Sequence, residues 1–255
     1  MGVDKIAGIL RAISGSPHPK NFTSAVIAAA GLSTRFGSDT TKQMTEICSK
    51  PMLYYTLKAY QDASCIDEII IVARECEIPF WEILCRENEI SKVSKIIVGG
   101  STRQESVRLG LDAVSEKSKF IAIADGARCL ITPEQINSVC RSAYKYNAAT
   151  AAHRSTDTVK IADKKGFIDS TADRNTVWLA QTPQVFKTNL YRAAAYTALK
   201  KGFEATDDNS LVEEVGHGVR LVECGALNIK ITEKEDIEIA RAIISQRLTD
   251  TEVEK

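Results

Sequence analysis

Short apolar runs that alternate with helical patterns constrain the fold of this chain more than any other feature of its sequence. Four runs have the length of a strand and span residues 24–30, 67–73, 95–98 and 119–124. They are nearly continuous, which is typical of parallel strands that are covered on both faces. Helical patterns lie between them, so the order is βαβαβα. The sequence predicts an α/β fold with a mostly parallel twisted sheet and flanking helices.

Three helix starts can be predicted from local chemistry. Pro51 is expected at the first position of one helix, where its missing N–H costs nothing. Thr132 and Gln135 form a capping box before a second helix, and the stretch from Thr232 to Glu235 predicts the same device for the last helix.

The region 150–186 interrupts this rhythm with short β-like pieces and turn signals. We interpret it as an excursion from the main sheet, a β-arm of the kind that often pairs with a second subunit. The arm belongs to one predicted domain over residues 23–247. Residues 1–22 are interpreted as an N-terminal extension, because they lack the apolar core and cleavage site of a targeting peptide.

Composition excludes several classes of partner. Lys plus Arg and Asp plus Glu both number 33, so the formal charge is zero, and neither a nucleic acid nor an acidic membrane is an expected partner. The longest apolar runs fall well short of the roughly 20 residues that span a bilayer. Seven scattered cysteines without a C-x-x-C pair predict reduced thiols and a cytoplasmic protein.

The first strand ends in a loop suited to a polyphosphate. The run stops at Gly31, and a loop of small residues follows with Arg35 and then Lys42. Exposed N–H groups and nearby cations favour an anion. The alternative is an ordinary strand-to-loop turn with solvated cations. The loop is not a Walker A loop, because the Gly-x-x-x-x-Gly-Lys-Ser/Thr motif is absent. It is not a Rossmann fingerprint either, since Ser33 occupies the place of the second glycine.

Two further clusters follow strands. Gly99 and Gly100 precede a helix that carries Arg103 and Ser106, and paired glycines allow a flat ligand to approach the backbone. A capped strand-to-helix turn is the alternative. Asp125 ends another strand, where a carboxylate can hold Mg²⁺ or a ribose; the alternative is a turn aspartate.

Cations also occur outside these loops. Lys160 and Arg174 on the arm can hold a phosphate monoester, unless they belong to a solvated hairpin face. Lys230 alternates with Ile229 and Ile231 at a predicted strand end, so its side chain points either to a cleft or to solvent. Thr206 is a candidate helix N-cap.

Together, the order and spacing of these clusters resemble the 2-C-methyl-D-erythritol 4-phosphate cytidylyltransferase family over about residues 23–246. The resemblance implies a Rossmann-like nucleotidyltransferase that joins CTP to methylerythritol 4-phosphate and releases pyrophosphate with Mg²⁺, in the non-mevalonate isoprenoid pathway. It also implies a homodimer in which the arm completes the partner's site. The most specific motifs are Gly99-Gly100 with Arg103 and Ser106, Asp157-Thr158-Val159-Lys160, Asp173-Arg174-Asn175 with Trp178, Thr182-Pro183-Gln184, and Asn228-Ile229-Lys230.

The resemblance assigns a role to each matching residue. Catalytic cations are expected on two loops and on the arm, a nucleotide site at the strand ends, and a substrate-phosphate site between them. The catalytic residues are Arg35, Lys42, Arg174 and Lys230; the nucleotide-binding residues are Ala29, Ala30, Gly31, Gly100, Ser106 and Asp125; the substrate-binding residues are Arg128, Thr158, Arg174 and Lys230; and Asp125 is the metal ligand.

The chain departs from the family pattern at Ser33, Thr41, Gly126 and Cys129, none of which removes a charged group. A ribitol-5-phosphate cytidylyltransferase stays an alternative, because it shares the fold and the CTP loop. A non-catalytic nucleotide-binding protein of the same fold is a second alternative. A nicotinamide-binding module is less well supported, since the glycine fingerprint is missing.

Overall fold

A seven-stranded sheet organises the protein in a computed structural model that describes residues 21–31 and 41–253. The predicted catalytic residue Arg35, the departure at Ser33 and nearly all of the predicted extension 1–22 lie outside the described residues. The strands are β1 (Thr23–Ala28), β2 (Glu46–Ile47), β3 (Lys50–Pro51), β4 (Glu68–Ala73), β5 (Val93–Val98), β6 (Phe120–Asp125), β7 (Ala148–Arg154), β8 (Lys160–Ala162), β9 (Ile168–Thr171), β10 (Trp178–Lys187) and β11 (Arg220–Glu223).

The main sheet has the order β11-β7-β10-β6-β1-β4-β5. Strand β10 is antiparallel to both of its neighbours, and the other pairs are parallel. The predicted mostly parallel α/β sheet is therefore confirmed. In the register, Ala28 at the end of β1 lies opposite Val72 of β4 and Asp125 of β6. The carboxyl ends of three strands consequently meet at one edge, where ligands of open α/β sheets bind.

Helices cover both faces of the sheet. Alternate strand residues enter opposite layers, as the pleat requires: Ala25 and Ile27 pack into one core, and Val26 packs into the other. The first layer contains Leu57 and the second Val107. The helices are α1 (Met52–Asp62), α2 (Ile78–Glu87), α3 (Arg103–Ala113), α4 (Pro133–Tyr146), α5 (Thr188–Lys201), α6 (Asp208–Glu214) and α7 (Lys234–Val253).

The predicted helix starts are correct to within a residue or two. The capping box of α4 is confirmed, with Gln135 N donating to Thr132 Oγ1 and Thr132 N donating to Gln135 Oε1. Pro51 is the N-cap of α1 rather than its first residue.

The last two helices begin slightly later than predicted. At α7 the capping carboxylate is Asp236 and not Glu235, because Asp236 accepts from the N–H groups of Thr232 and Glu233. At α6 the cap is Asp207, whose Oδ1 accepts from Ser210 N, and not Thr206.

The β-arm is shorter than the predicted range 150–186. Strands β7 and β10 belong to the main sheet and pair from Trp178 opposite Arg154 to Phe186 opposite Ala148. The excursion therefore covers residues 155–177 and contains the separate hairpin β8–β9. Its role in dimerisation stays a prediction.

The cysteines are free thiols, and most of them are buried among apolar side chains. Burial raises the pKa of the Cys140 thiol well above its ordinary value, so Cys140 behaves as a small hydrophobe. Within residues 21–31 and 41–253, none of the helices has the length and apolar composition needed to cross a bilayer.

Candidate active site

A cavity of about 410 Å³ lies at the carboxyl edge of the parallel strands. Its walls come from the ends of β1 and β6, the β5–α3 turn, a short helical turn at Lys42–Met44 and the loop before α7. Among the described residues, three cations and one carboxylate face it, which suits a polyanion that also carries a metal ion. The lining residues are Ala28, Ala30, Gly31, Lys42, Gln43, Gly100, Ser101, Thr102, Arg103, Ser106, Asp125, Ala127 and Lys230.

Seven residues predicted from separate parts of the sequence line this one cavity: Ala30, Gly31, Lys42, Gly100, Ser106, Asp125 and Lys230. Ala29 is fully buried behind the wall, and its N–H donates to Val72 O. A contact between Ala29 and a nucleotide stays a prediction.

The glycine turn forms the floor of the cavity. A Cβ at Gly99 would lie 2.4 Å from Cβ of Ala30 and 3.0 Å from Oγ of Ser106, so the close approach of the β5–α3 turn to the segment that follows β1 requires glycine. Gly100 N donates to Ser106 Oγ over 3.0 Å. Thr102 caps α3 by accepting from Glu105 N. The capped-turn interpretation of this segment is therefore correct for Thr102, and the same turn also exposes Gly100 to the cavity.

Asp125 is the electrostatic centre of the site. Its Oδ1 lies 3.0 Å from Nε of Arg103, its Oδ2 lies 2.9 Å from Nζ of Lys230, and Nε of Arg128 lies 3.9 Å from Oδ2. Burial alone would raise the pKa of this carboxyl group, but the three cations outweigh burial and lower the pKa to about 2. Asp125 is therefore ionised at neutral pH.

Arg103 is a cavity cation whose contacts were not predicted. Its guanidinium binds two carboxylates, Asp125 through Nε and Asp208 through Nη1 at 2.8 Å. Burial lowers the pKa of Arg103, but Asp208 and then Asp125 outweigh it, so the pKa is raised overall. Arg103 belongs to the family motif of Gly99-Gly100 with Arg103 and Ser106, so the sequence did indicate that it is functionally relevant. Asp208 was visible only as part of a turn.

Gln43 is a second residue of the cavity wall to which the sequence analysis assigned no role. Its side chain is buried in the cavity wall, and Oε1 has no hydrogen-bond partner within the described residues. A buried amide oxygen normally finds a donor, which makes Gln43 a candidate ligand contact. The signal in the sequence was the Lys42-Gln43 pair, in which only Lys42 was predicted to have a role.

Lys230 lies on a loop. The predicted position at the end of a strand is wrong. The segment from Asn228 to Thr232 forms no ladder, and side chains hold its carbonyl groups instead. Arg128 Nη1 donates to Asn228 O over 2.6 Å, and Lys42 Nζ donates to Ile231 O over 2.5 Å. The alternation of Lys230 with isoleucines therefore reflects a loop that packs one side chain inward, Ile231, which is fully buried.

Arg128 lies behind Asp125 and outside the cavity wall. Its side chain is 13% exposed, and burial lowers its pKa, although Asp125 opposes this effect. The contact of Arg128 with Asn228 O ties the Lys230 loop to the end of β6. Binding of substrate by Arg128 stays a prediction.

Thr158 and Arg174 lie on the exposed arm and do not line the cavity. Arg174 Nη1 donates to Thr156 O over 3.3 Å, within the arm itself. A single subunit thus does not bring these two predicted residues to Asp125.

Two of the departures from the family pattern have a clear packing context. A Cβ at Gly126 would lie 3.0 Å from Cδ1 of Leu53 and 3.1 Å from Ala28 O, which is tighter than ordinary contact. Cys129 is buried in the apolar cluster beneath the Lys230 loop. Thr41 is buried as well, and nothing in the structure explains its identity.

The donor set fits Mg²⁺ only with help from a ligand. Among the described residues no group of three or more His, Cys, Asp or Glu side chains could hold a metal ion. Asp125 offers hard carboxylate oxygens, but both of them already face cations. Mg²⁺ commonly binds one or two carboxylates together with substrate phosphates, and that is the arrangement this site fits.

Comparisons with known proteins agree with this geometry. Residues 23–246 match the family model described as 2-C-methyl-D-erythritol 4-phosphate cytidylyltransferase. The enzyme of that name from Caldanaerobacter subterraneus subsp. tengcongensis is 42% identical over 226 residues, which cover 87% of this chain and 98% of the relative. The one from Trichormus variabilis is 39% identical over 222 residues, which cover 87% of this chain and 97% of that relative.

Solved structures lead to the same family. The 4-diphosphocytidyl-2C-methyl-D-erythritol synthase of Anaerococcus prevotii superposes with a TM-score of 0.80 at 31% identity, over 88% of this chain and 99% of that one. The 2-C-methyl-D-erythritol 4-phosphate cytidylyltransferase of Thermus thermophilus has a TM-score of 0.70 at 28% identity, over 87% and 98% of the two chains. The resemblance inferred from the sequence is confirmed, and this chain belongs to the 2-C-methyl-D-erythritol 4-phosphate cytidylyltransferase family of nucleotidyltransferases.

Proposed function

We propose that this protein transfers CMP from CTP to 2-C-methyl-D-erythritol 4-phosphate and releases pyrophosphate, in the non-mevalonate isoprenoid pathway. The observation that carries the proposal is the convergence of Lys42, Arg103 and Lys230 around Asp125, above the glycine floor of one cavity. Such a cavity can bind a nucleoside triphosphate and offset the negative charge of the phosphates.

The reaction needs little covalent help from the protein. An oxygen of the substrate phosphate attacks the α-phosphorus of CTP in line, and a P–O bond forms. The bond from the α-phosphorus to the bridging oxygen breaks, and pyrophosphate leaves with the electron pair. Because the attacking phosphate is already an anion, no proton has to be removed, and catalysis consists of positioning and charge stabilisation.

Each of the seven predicted residues that line the cavity has a role in this scheme. Lys42, tied to Ile231 O, offsets charge on the triphosphate, and Lys230 holds the substrate phosphate. Gly100 and Ser106 contact the base, while Ala30 and Gly31 allow the backbone to approach the nucleotide. Asp125 contacts the ribose and would hold Mg²⁺, which supplies divalent positive charge to the phosphates when bound.

The active form in this proposal is a cytoplasmic homodimer. Thr158 and Arg174 lie away from the cavity of their own subunit, so an arm that reaches a neighbouring subunit would give each residue a role there. Exposed apolar side chains on the hairpin support this assembly, since Phe167 is 70% and Ile168 is 64% exposed.

A turnover assay tests the proposal against both alternatives. We expect pyrophosphate release from CTP with methylerythritol 4-phosphate and little release with ribitol 5-phosphate. Faster turnover of ribitol 5-phosphate would instead assign the ribitol enzyme. CTP binding without turnover of either polyol phosphate would indicate a non-catalytic nucleotide-binding protein.

A further inference from the structure

Arg103 differs from the other cavity cations because two carboxylates hold it from different sides. Nε lies 3.0 Å from Asp125 Oδ1, and Nη1 lies 2.8 Å from Asp208 Oδ2. The second contact lacks hydrogen-bond geometry, so it is mainly a charge–charge attraction. One guanidinium therefore connects the cavity carboxylate to a second carboxylate outside the cavity wall.

Asp208 is fixed from behind by neutral groups. Its side chain is 1% exposed. Tyr191 OH donates to Asp208 Oδ1 over 2.5 Å, and Asp208 N donates to Gln184 Oε1 over 2.9 Å. Burial of a carboxylate is costly unless the charge is paired, and Arg103 is its cation. Asp208 does not line the cavity, and Arg103 is the cavity-lining residue that its carboxylate contacts.

Lys230 provides the contrast. Its side chain is 42% exposed, and Asp125 is its only carboxylate partner within 4.0 Å in the described part of the chain. Lys230 can leave Asp125 for solvent or for a substrate phosphate. Arg103 cannot leave both of its carboxylates in the same way, because that would leave the buried charge of Asp208 unpaired.

We propose that Asp208 is a positioning residue of the nucleotide site, which keeps Arg103 in the cavity wall while Asp125 exchanges an ion pair for a metal ion or ribose. The inference rests on the proposed function. With Asp208 present, Arg103 stays neutralised when Asp125 Oδ1 takes up a new partner. Without the charge of Asp208, Arg103 has Asp125 alone, and a metal ion must compete with it.

The test is CTP binding by calorimetry over a series of Mg²⁺ concentrations, in the full chain without the second substrate. Asp208→Asn keeps the size of the side chain and removes its charge. We expect the Mg²⁺ concentration for half-maximal CTP binding to rise by about tenfold, as contacting residues are strongly coupled. In the Arg103→Gln background, Asp208→Asn should cause no further shift, because the residue through which it acts is gone.

Asp112→Asn is the matched control. Asp112 also faces two arginines, Arg108 and Arg192, but lies on the surface away from the cavity, so the Mg²⁺ dependence should stay at the wild-type value. A folded Asp208→Asn protein with wild-type Mg²⁺ dependence would overturn the inference. An equal shift in the Arg103→Gln background would do the same, since it would indicate a purely structural role.

If Asp208→Asn does not fold, Arg103→Lys decides the question. A single ammonium group cannot contact both carboxylates through separate nitrogens, so the half-maximal Mg²⁺ concentration should rise as well, and an unchanged value would overturn the inference. Wild-type CTP binding that is independent of Mg²⁺ would count against the proposed function itself, together with this inference. Normal wild-type Mg²⁺ dependence with unaffected variants would remove only the role of Asp208.

Discussion

At the scale of single residues, Lys42 is a proposed catalytic cation that also contacts the Lys230 loop. Its ammonium group lines the cavity and donates to Ile231 O across the site. We expect Lys42→Ala to lower kcat roughly a hundredfold, because loss of a preorganised charge at the transition state costs on the order of 3 kcal/mol. Steady-state kinetics of the variant measure kcat, and thermal unfolding measures any change in its stability.

Lys58→Ala is the control for that experiment, since Lys58 forms an exposed pair with Asp62 on α1 and exposed pairs contribute little. Its kcat should equal the wild-type value. A folded Lys42→Ala enzyme with unchanged kcat would remove Lys42 from the mechanism.

Asp125 makes folding stability depend on pH. Its pKa is about 2 in the folded protein and 3.8 ordinarily. Because the folded pKa is the lower one, the stabilisation is fully present above pH 3.8 and is lost as the pH falls through 2. The full contribution is about 2 kcal/mol.

Denaturant unfolding at several pH values checks this prediction. As the pH falls from 4 towards 2, we expect the free energy of unfolding of wild type to decrease more than that of Asp125→Asn, so that the advantage of wild type becomes smaller. A difference that stays constant across this range would mean that Asp125 does not titrate with a lowered pKa.

At the scale of elements, the packing of α3 on the sheet positions Ser106 and Arg103. A Cβ at Gly110 would lie 2.4 Å from Cγ1 of Val26 and 3.1 Å from Cγ2 of Val72. In a free helix Gly→Ala is stabilising by up to about 1 kcal/mol. Here both neighbours are stiff, buried strand residues, so overpacking by roughly 1–3 kcal/mol outweighs that gain.

We therefore expect Gly110→Ala to lower the free energy of unfolding and to weaken CTP binding, as α3 moves away from β1. Gly218→Ala is the matched control, since a Cβ there meets nothing within 4 Å and the backbone needs no positive φ. Chemical denaturation and calorimetry measure the two consequences. A Gly110→Ala protein as stable as wild type would show that the helix has room to adjust.

The sequence predicted those elements whose signals are local. Continuous apolar runs identified β1, β4, β5 and β6, and a capping box identified the start of α4. Strands β7 and β10 were not recognised as members of the main sheet. The first is built from small residues, and the second contains Pro183, which normally argues against a strand inside a sheet.

The candidate site divides in the same way. Asp125 was predicted because it ends a strand, where ligands of open α/β sheets bind, and Gly100 was predicted from the paired glycines and the family resemblance. Asp208 was not, since its contact with Arg103 joins distant parts of the chain, and a turn aspartate carries no sign of a distant partner. The placement of Lys230 on a loop depends on contacts from Arg128 and Lys42, which no periodicity reveals.

At the scale of the whole molecule, the arm has few partners in its own subunit. The hairpin β8–β9 forms a separate two-stranded sheet, and its residues are exposed along both strands. An isolated two-stranded hairpin is at best marginally stable in water. In the proposed homodimer, a second subunit covers Phe167 and Ile168 and receives Arg174 from the hairpin side.

Mixing two inactive variants tests whether sites are shared. Lys42→Ala removes a cavity residue, Arg174→Ala removes an arm residue, and each homodimer should be nearly inactive. In a mixed dimer, the subunit with intact Lys42 receives intact Arg174 from its partner, so one of the two sites is complete. Random exchange should then restore about a quarter of wild-type activity. Native mass spectrometry must show that mixed dimers form. If they form and no activity returns, the sites are not shared, and Arg174 acts within its own chain or has no role in the reaction.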